Sequence, residues 1–206
     1  MKRRIYILRH GETEHGEVKI YLGHTNCKLS QKGINDAKQL AYVFDESEVV
    51  ISSIFSSDLI RCRSTVNIVF PGRKVTFLKN LREINMGVLD GLTFEEVKRK
   101  YPEVYKKRGE NIAEFIPLNG ESFRVCQQRS IKVFNHIIDT TEGNVVICSH
   151  AGFIRGLLCS LLKLDLKDIF TIKQDYGCFN IIILDEDNVS VEGINLKTLY
   201  IHDRDM

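Results

Sequence analysis

Apolar residues recur along this chain at two spacings. Short, nearly unbroken apolar runs read as buried strands: Arg4 to Leu8, Val49 to Phe55, Val75 to Leu78, Val145 to Cys148, Phe179 to Leu184 and Val189 to Leu196. Between them apolar residues return every three or four positions, the period of a helix with one buried face. Residues 31–44 place Ile34, Ala37, Leu40, Ala41 and Phe44 on one side, and residues 152–162 do the same with Ile154, Leu157, Leu158, Leu161 and Leu162. Helices are also predicted from Asp58 to about Phe70, with Ser57 or Asp58 as N-cap, and over residues 121–139. Asp185-Glu186-Asp187-Asn188 reads as the turn joining the last two strands. This alternation predicts an α/β architecture. Residues 93–108 are helical in spacing but polar and basic. The stretch from about 92 to 122 interrupts the rhythm and is predicted to form a small helical cap over one end of the sheet. No repeat or Pro/Gly-rich linker divides the 206 residues, so a single domain, 1–206, is expected.

Composition narrows the function classes. At 43% apolar and 27% charged residues the chain resembles an ordinary globular protein, long enough to bury a core without staples. A formal net charge of +2 points to neither nucleic acid nor an anionic membrane, so any anion binding must come from a local cluster. The cysteines, at positions 27, 62, 126, 148, 159 and 178, include no Cys-x-x-Cys pair and lie largely in apolar stretches, which predicts reduced thiols and no disulfide framework. The basic start Met1-Lys2-Arg3-Arg4 precedes only the short apolar run Ile5 to Leu8, against the roughly 7–15 apolar residues of a signal peptide and the about 20 of a membrane span. A cytoplasmic protein is expected.

The residues that carry chemistry sit where the predicted strands end. Arg9-His10-Gly11-Glu12-Thr13 follows the first, Ser56-Ser57-Asp58-Leu59-Ile60-Arg61 the second, Leu81-Arg82-Glu83 the third, and Ser149-His150-Ala151-Gly152 the strand at 145–148. Ligands of open α/β sheets bind outside the carboxyl ends of the strands. If these strands run parallel, two histidines, two arginines and a carboxylate converge there. Such a set suits phosphoryl transfer, in which charge spreads over three non-bridging oxygens and the protein mainly supplies position and positive charge. Arg9 and Arg61 can grip those oxygens bidentately, and the start of the helix at 152, with the Gly11 loop, offers backbone N–H groups to the same anion. Nearby arginines disfavour an imidazolium and so keep a nitrogen of His10 unprotonated for attack on phosphorus. Glu83 is the candidate proton donor to the leaving alkoxide, with Glu12, Glu14 and Glu121 as rival carboxylates.

These segments resemble the histidine phosphatase, or phosphoglycerate mutase-like, superfamily. Arg-His-Gly-Glu-Thr at 9–13 is similar to its signature, the block Ser56 to Thr65 to its second arginine motif, and Leu81-Arg82-Glu83-Ile84-Asn85-Met86-Gly87 to its acid-residue motif. Gly120-Glu121-Ser122 and Ser149-His150-Ala151-Gly152 resemble two more, in an order that spans nearly the whole chain. The resemblance implies His10 as nucleophile, Glu83 as proton donor, Arg9, Arg61 and His150 as the phosphate pocket, and neither metal nor other cofactor. It also implies a three-layer α/β sandwich with a mainly parallel central sheet, helices on both faces and a small helical cap. Within the family, Tyr21-Leu22-Gly23-His24-Thr25-Asn26 and Leu89-Asp90-Gly91-Leu92-Thr93-Phe94 look most like the alpha-ribazole phosphatase branch. There are departures: Gly16 stands where the family often has a phosphate-holding asparagine, and the usual Asp-x-Pro-Leu appears as Asn26-Cys27-Lys28-Leu29.

His15 and His24 read as loop residues near the cleft, His136 and His202 as structural or exposed, Lys28 as a solvated loop lysine, and the basic run Lys98 to Arg108 as a solvated face. Asp185-Glu186-Asp187-Asn188-Val189 imitates the nucleophile motif of haloacid-dehalogenase-type phosphatases, but too little chain follows to supply that fold. Cys148 and Arg155 are one residue too far apart for a cysteine-phosphatase loop. The expected activity is hydrolysis of a small phosphorylated metabolite, alpha-ribazole 5'-phosphate among the candidates, with no nucleic-acid or membrane partner and the oligomeric state open. The alternatives are a phosphoglycerate mutase-type phosphoryl transfer and a non-catalytic module that binds phosphorylated ligands.

Overall fold

The computed structural model describes residues 2–16, 18–186 and 188–199. Its strands are β1 (Arg3–Arg9), β2 (Ile51–Ser57), β3 (Thr76–Leu78), β4 (Asn144–Ser149), β5 (Phe179–Asp185) and β6 (Asn188–Leu196). Its α-helices are α1 (Gln31–Glu46), α2 (Ile60–Val69), α3 (Phe94–Lys100), α4 (Pro102–Glu110), α5 (Phe123–Asp139) and α6 (Ala151–Leu161). The strands form one sheet in the order β3-β2-β4-β1-β5-β6. The pairs β1–β4, β2–β4 and β2–β3 are parallel, whereas β1–β5 and β5–β6 are antiparallel. Only β5 opposes the common direction, so the sheet is mixed but mainly parallel.

Strict alternation along the central strands makes the two faces. Ile5 and Ile7 of β1, Val145 and Ile147 of β4, and Ile182 and Leu184 of β5 point into a core closed by Phe134 and Ile137 of α5 and by Ile154 and Leu158 of α6. Tyr6 and Leu8, Val146 and Cys148, and Ile181 and Ile183 point the other way, against Ala37, Leu40 and Phe44 of α1 and Cys62 and Val66 of α2. Both faces are covered, as a mainly parallel sheet requires, and the layers number three. All six cysteines are free and buried, as their apolar surroundings predicted. No helix among the described residues is long and apolar enough to cross a membrane.

Two expectations need correction. The helix after β2 begins at Ile60 and neither Ser57 nor Asp58 caps it; Leu59 holds the N-cap position and makes no side-chain cap bond. Asp58 instead takes two charge-assisted bonds from Arg82, each 2.6 Å, while the Ile60 N–H is met from a distant loop by the Asn26 side-chain oxygen at 2.9 Å. The expected helix over 93–108 is two helices, because Tyr101 precedes Pro102 and is held in a non-helical conformation. Pro102 then opens α4 at a position where its missing N–H costs nothing. Asp185 and Asn188 pair at the β5–β6 junction, as a hairpin demands; Asp187 and His202 lie outside the described residues.

The connections make the site. From β1 the chain leaves toward β2 on one side, and from β4 it leaves toward β5 on the other. Adjacent parallel strands whose connections diverge leave a crevice at their carboxyl ends. The loop leaving β1 is pinned against α1: Ser30 caps that helix through Gly33 at 3.0 Å, and Gly33 meets the backbone of residues 11–12 closely enough that an added Cβ would lie 1.9 Å from the Glu12 carbonyl oxygen. Because the obstructing atom is backbone, Gly33→Ala should cost about 1–3 kcal/mol through overpacking. Urea denaturation checks this, and an unchanged unfolding midpoint would contradict the close approach.

Candidate active site

β1 and β4 pair in register with Arg9 opposite Ser149, so His10 and His150 each stand one residue beyond a pair of adjacent strand ends. The His10 N–H donates to the Ser149 carbonyl at 3.2 Å and the imidazole centroids lie 5.1 Å apart. Both rings are buried, and so is Arg61, at 1% exposure. The sheet therefore brings together the residues that the strand-end pattern singled out.

Each imidazole has its tautomer set by partners that can play only one role. His10 Nδ1 lies 2.8 Å from the Gly11 carbonyl, an obligate acceptor, so Nδ1 carries the proton and Nε2 is left bare. His150 Nδ1 accepts from Arg61 Nε at 3.1 Å, so its Nε2 carries the proton and faces Ser57 Oγ at 2.9 Å. Burial first, then Arg61 and Arg9, hold the His10 imidazole well below its ordinary value of 6.5; the Gly11 carbonyl opposes this only in part. Burial, Arg61, His10 and the arginines beyond them depress His150 in the same way.

The arginines are held by carbonyls, not carboxylates. Arg61 donates through Nη1 to the Thr25 carbonyl at 2.9 Å and through Nη2 to the Gly23 carbonyl at 2.7 Å. Arg9 donates through Nη1 to the Gln174 carbonyl at 2.6 Å and lays its guanidinium over Tyr176, 3.7 Å from the ring centroid. Its Nε is buried and has no hydrogen-bond partner among the described residues. Tyr176 is also 5.6 Å from the His10 ring, yet no spacing in the sequence marked it or Gln174. Ser57, which the sequence placed in the strand-end segment without a role in the site, is the neighbour of His150.

Glu83 lies against the first turn of α6, which follows His150 directly. Oε1 accepts from the Ile84 and Phe153 N–H groups, at 2.9 and 3.0 Å, and Oε2 accepts from Gly152 at 3.0 Å. The N–H groups at the start of α6 that the sequence offered to phosphate are thus occupied by this carboxyl group, at the end of the helix where acceptors are favoured, and the Gly11 N–H offered with them donates to Thr65 Oγ1 at 3.1 Å. Gly152 permits the contact, since a Cβ would stand 2.5 Å from Oε1. Ser149 Oγ bonds to the Leu81 carbonyl at 2.7 Å, and Arg129 gathers the carbonyls of Asn80, Arg82 and Glu83, which fixes the segment carrying Glu83.

The rival carboxylates are engaged elsewhere. Glu12 pairs with Lys32 at 2.8 Å and accepts from Ser30, Glu14 accepts from the Lys28 N–H, and Glu121 pairs with Arg129 at 2.5 Å. His24, expected to be a bystander, has Nε2 3.0 Å from the Glu83 carbonyl. Gly16 has a φ of 52° and open space around a built Cβ; asparagine tolerates that conformation too, so the departure keeps the turn and removes a side chain. Among the described residues no group of three or more His, Cys, Asp or Glu is placed to hold a metal ion.

A family model described as the histidine phosphatase superfamily (branch 1) matches residues 5–197. The chain belongs to the histidine phosphatase superfamily. Relatives in that superfamily include the adenosylcobalamin/alpha-ribazole phosphatase of Salmonella typhimurium, 26% identical over 96% of this chain and 98% of the relative. Phosphoserine phosphatase 1 of Hydrogenobacter thermophilus is 28% identical over 94% of this chain and 92% of its own length. In fold, the crystal structure of the alpha-ribazole phosphatase from Shigella flexneri is similar with a TM-score of 0.87 at 24% identity, covering 96% of this chain and 98% of that one. These superfamily relatives are phosphatases, which are hydrolases, and the phosphohistidine mechanism is general to the family.

The depressed imidazoles make a prediction about pH. Each folded value lies below the unfolded value of 6.5, so the unfolded chain binds more protons as acidity rises. Their contribution to stability is whole above pH 6.5 and is lost as pH falls below it toward the depressed folded values. Nitrogen-15 spectra at pH 6 should show neutral imidazoles for His10 and His150, with His10 protonated on Nδ1. Imidazolium signals at that pH would contradict the assignment.

Proposed function

We propose that this protein hydrolyses a phosphomonoester of a small metabolite through a phosphohistidine on His10, without a metal or other cofactor. The observation that carries the reading is the bare Nε2 of a buried, neutral His10, set among two arginines and a second histidine. Nε2 attacks phosphorus as the ester P–O bond breaks, and Arg9 and Arg61, with His150, take up the charge on the non-bridging oxygens. Glu83 gives its proton to the departing alkoxide. Its Oε2, which meets one N–H where Oε1 meets two, is the oxygen better able to carry that proton. Water then attacks the phosphohistidine, Glu83 takes its proton, and phosphate leaves with His10 restored.

For the alcohol portion we propose alpha-ribazole 5'-phosphate, supported by the segments at 21–26 and 89–94 and by relatives of similar length that bear that phosphatase name. Residues 92–122, which hold α3 and α4 and no strand, we read as a cap that helps choose this portion. Turnover of a generic aryl phosphate in the presence of EDTA should proceed in the wild type and vanish in His10→Ala. Arg61→Ala should lower kcat by about 10²–10³-fold, the usual cost of one preorganised oxyanion donor. Equal turnover by the wild type and His10→Ala would sink the mechanism. Alpha-ribazole 5'-phosphate should outpace phosphoserine in the same assay, and the reverse order would remove the substrate reading but not the mechanism.

A further inference from the structure

Arg61 poses a problem of charge. It is almost wholly buried, yet its bonds run to His150 and to the Gly23 and Thr25 carbonyls, and among the described residues none runs to a carboxylate. A buried cation without compensation is costly. A carboxylate placed directly on the guanidinium would compensate it, but would also occupy the donors a phosphoryl group needs.

The loop from Gly23 to Thr25 resolves this. Its N–H groups turn away from Arg61 and converge on one side chain: Asp90 Oδ1 accepts from Gly23 at 2.8 Å, and Oδ2 accepts from His24 at 2.7 Å and from Thr25 at 2.8 Å. The peptide joining Gly23 to His24 is engaged at both ends, with its carbonyl on Arg61 and its N–H on Asp90. Its dipole lies with the negative end toward the cation and the positive end toward the anion. We propose that Asp90 is the counter-ion of Arg61, acting through this peptide, and is thereby a positioning residue of the phosphoryl pocket.

The arrangement compensates Arg61 while leaving guanidinium donors for substrate oxygens. It reaches the proton donor as well, because the loop whose backbone Asp90 fixes also carries His24, whose Nε2 meets the Glu83 carbonyl. The loop is pressed onto the segment that follows Glu83: a Cβ on Gly23 would lie 2.8 Å from both the Ile84 oxygen and the Met86 nitrogen. The Tyr21 N–H bonds to the Leu92 carbonyl and the Gly91 N–H to the Tyr21 carbonyl, which pins the chain immediately after Asp90 to the segment leading into the loop. One carboxylate thus ties the phosphate-gripping arginine to the element bearing the acid.

The proposal rests on the phosphomonoesterase reading for its meaning, but its test does not need turnover. Inorganic phosphate is titrated into wild type, Asp90→Asn, Asp90→Ala and Asp90→Glu by calorimetry, with kcat and KM for an aryl phosphate measured beside it. Asp90→Asn and Asp90→Ala should bind phosphate at least about tenfold more weakly and show a raised KM, and Asp90→Glu should recover part of the loss. Nitrogen-15 spectra of Asp90→Asn should show His150 losing its fixed tautomer, a change that general loosening of the fold would not produce selectively. If Asp90→Ala does not fold, Asp90→Asn, close in size and keeping one acceptor oxygen, decides alone. A folded Asp90→Asn with wild-type phosphate affinity and an unchanged His150 signal would overturn the proposal. Phosphate binding without any ester turnover by the wild type would refute the phosphatase reading and leave this one standing.

Discussion

The parallel pairing of β1 with β4 is the constraint on which the rest depends. A register that sets Arg9 opposite Ser149 also sets His10 beside His150, since each is the next residue along its strand. A slip of one residue would turn Ile5, Ile7, Val145 and Ile147 out of their core and separate the two imidazoles at the same time. The apolar alternation that secures the fold therefore also secures the spacing of the candidate chemistry. The backbone crowding at Gly11 and Gly33 serves the same end, by leaving the loop after β1 little room to move.

Charge is the second organising theme. The site gathers cations and neutral imidazoles and gives them few direct carboxylate partners. Arg9 leans on the Gln174 carbonyl and the Tyr176 ring, and Arg61 leans on the Gly23 and Thr25 carbonyls. The negative groups nearby are turned to other donors: Glu83 to the first turn of α6, Asp58 to Arg82, Glu121 to Arg129. A pocket built this way is electropositive and preorganised, the condition under which fixed donors are worth most to a transition state that accumulates negative charge.

Much of this was legible in the sequence, because strand ends are marked twice. The apolar run shows where a strand stops, and the residue types after it show what is delivered there; His10, Arg61, Glu83 and His150 were singled out in this way, and the sheet sets His10, His150 and Arg61 close together. The helices on both faces followed from their periodicity. What could not be read were contacts made by irregular segments over long stretches of chain. Asp90, Gln174 and Tyr176 belong to no periodic pattern, and Asn26 reaches α2 from a loop that spacing does not connect to it. The assignment of the α6 N-terminus to phosphate failed for a related reason: the terminus does take acceptor oxygens, but they are those of the chain's own Glu83 side chain. The break at Tyr101, by contrast, was available from Pro102 and was masked by the polar helical spacing around it.

The central claim is that His10 becomes phosphorylated during turnover. Rapid acid-free quenching of the protein with an excess of aryl phosphate, followed by peptide mass spectrometry, tests it directly. The account predicts a phosphoryl group on the peptide containing Arg9-His10-Gly11, stable to base and lost in acid, and absent from His10→Asn. Steady turnover with no label on that peptide, or with the label on another residue, would contradict it.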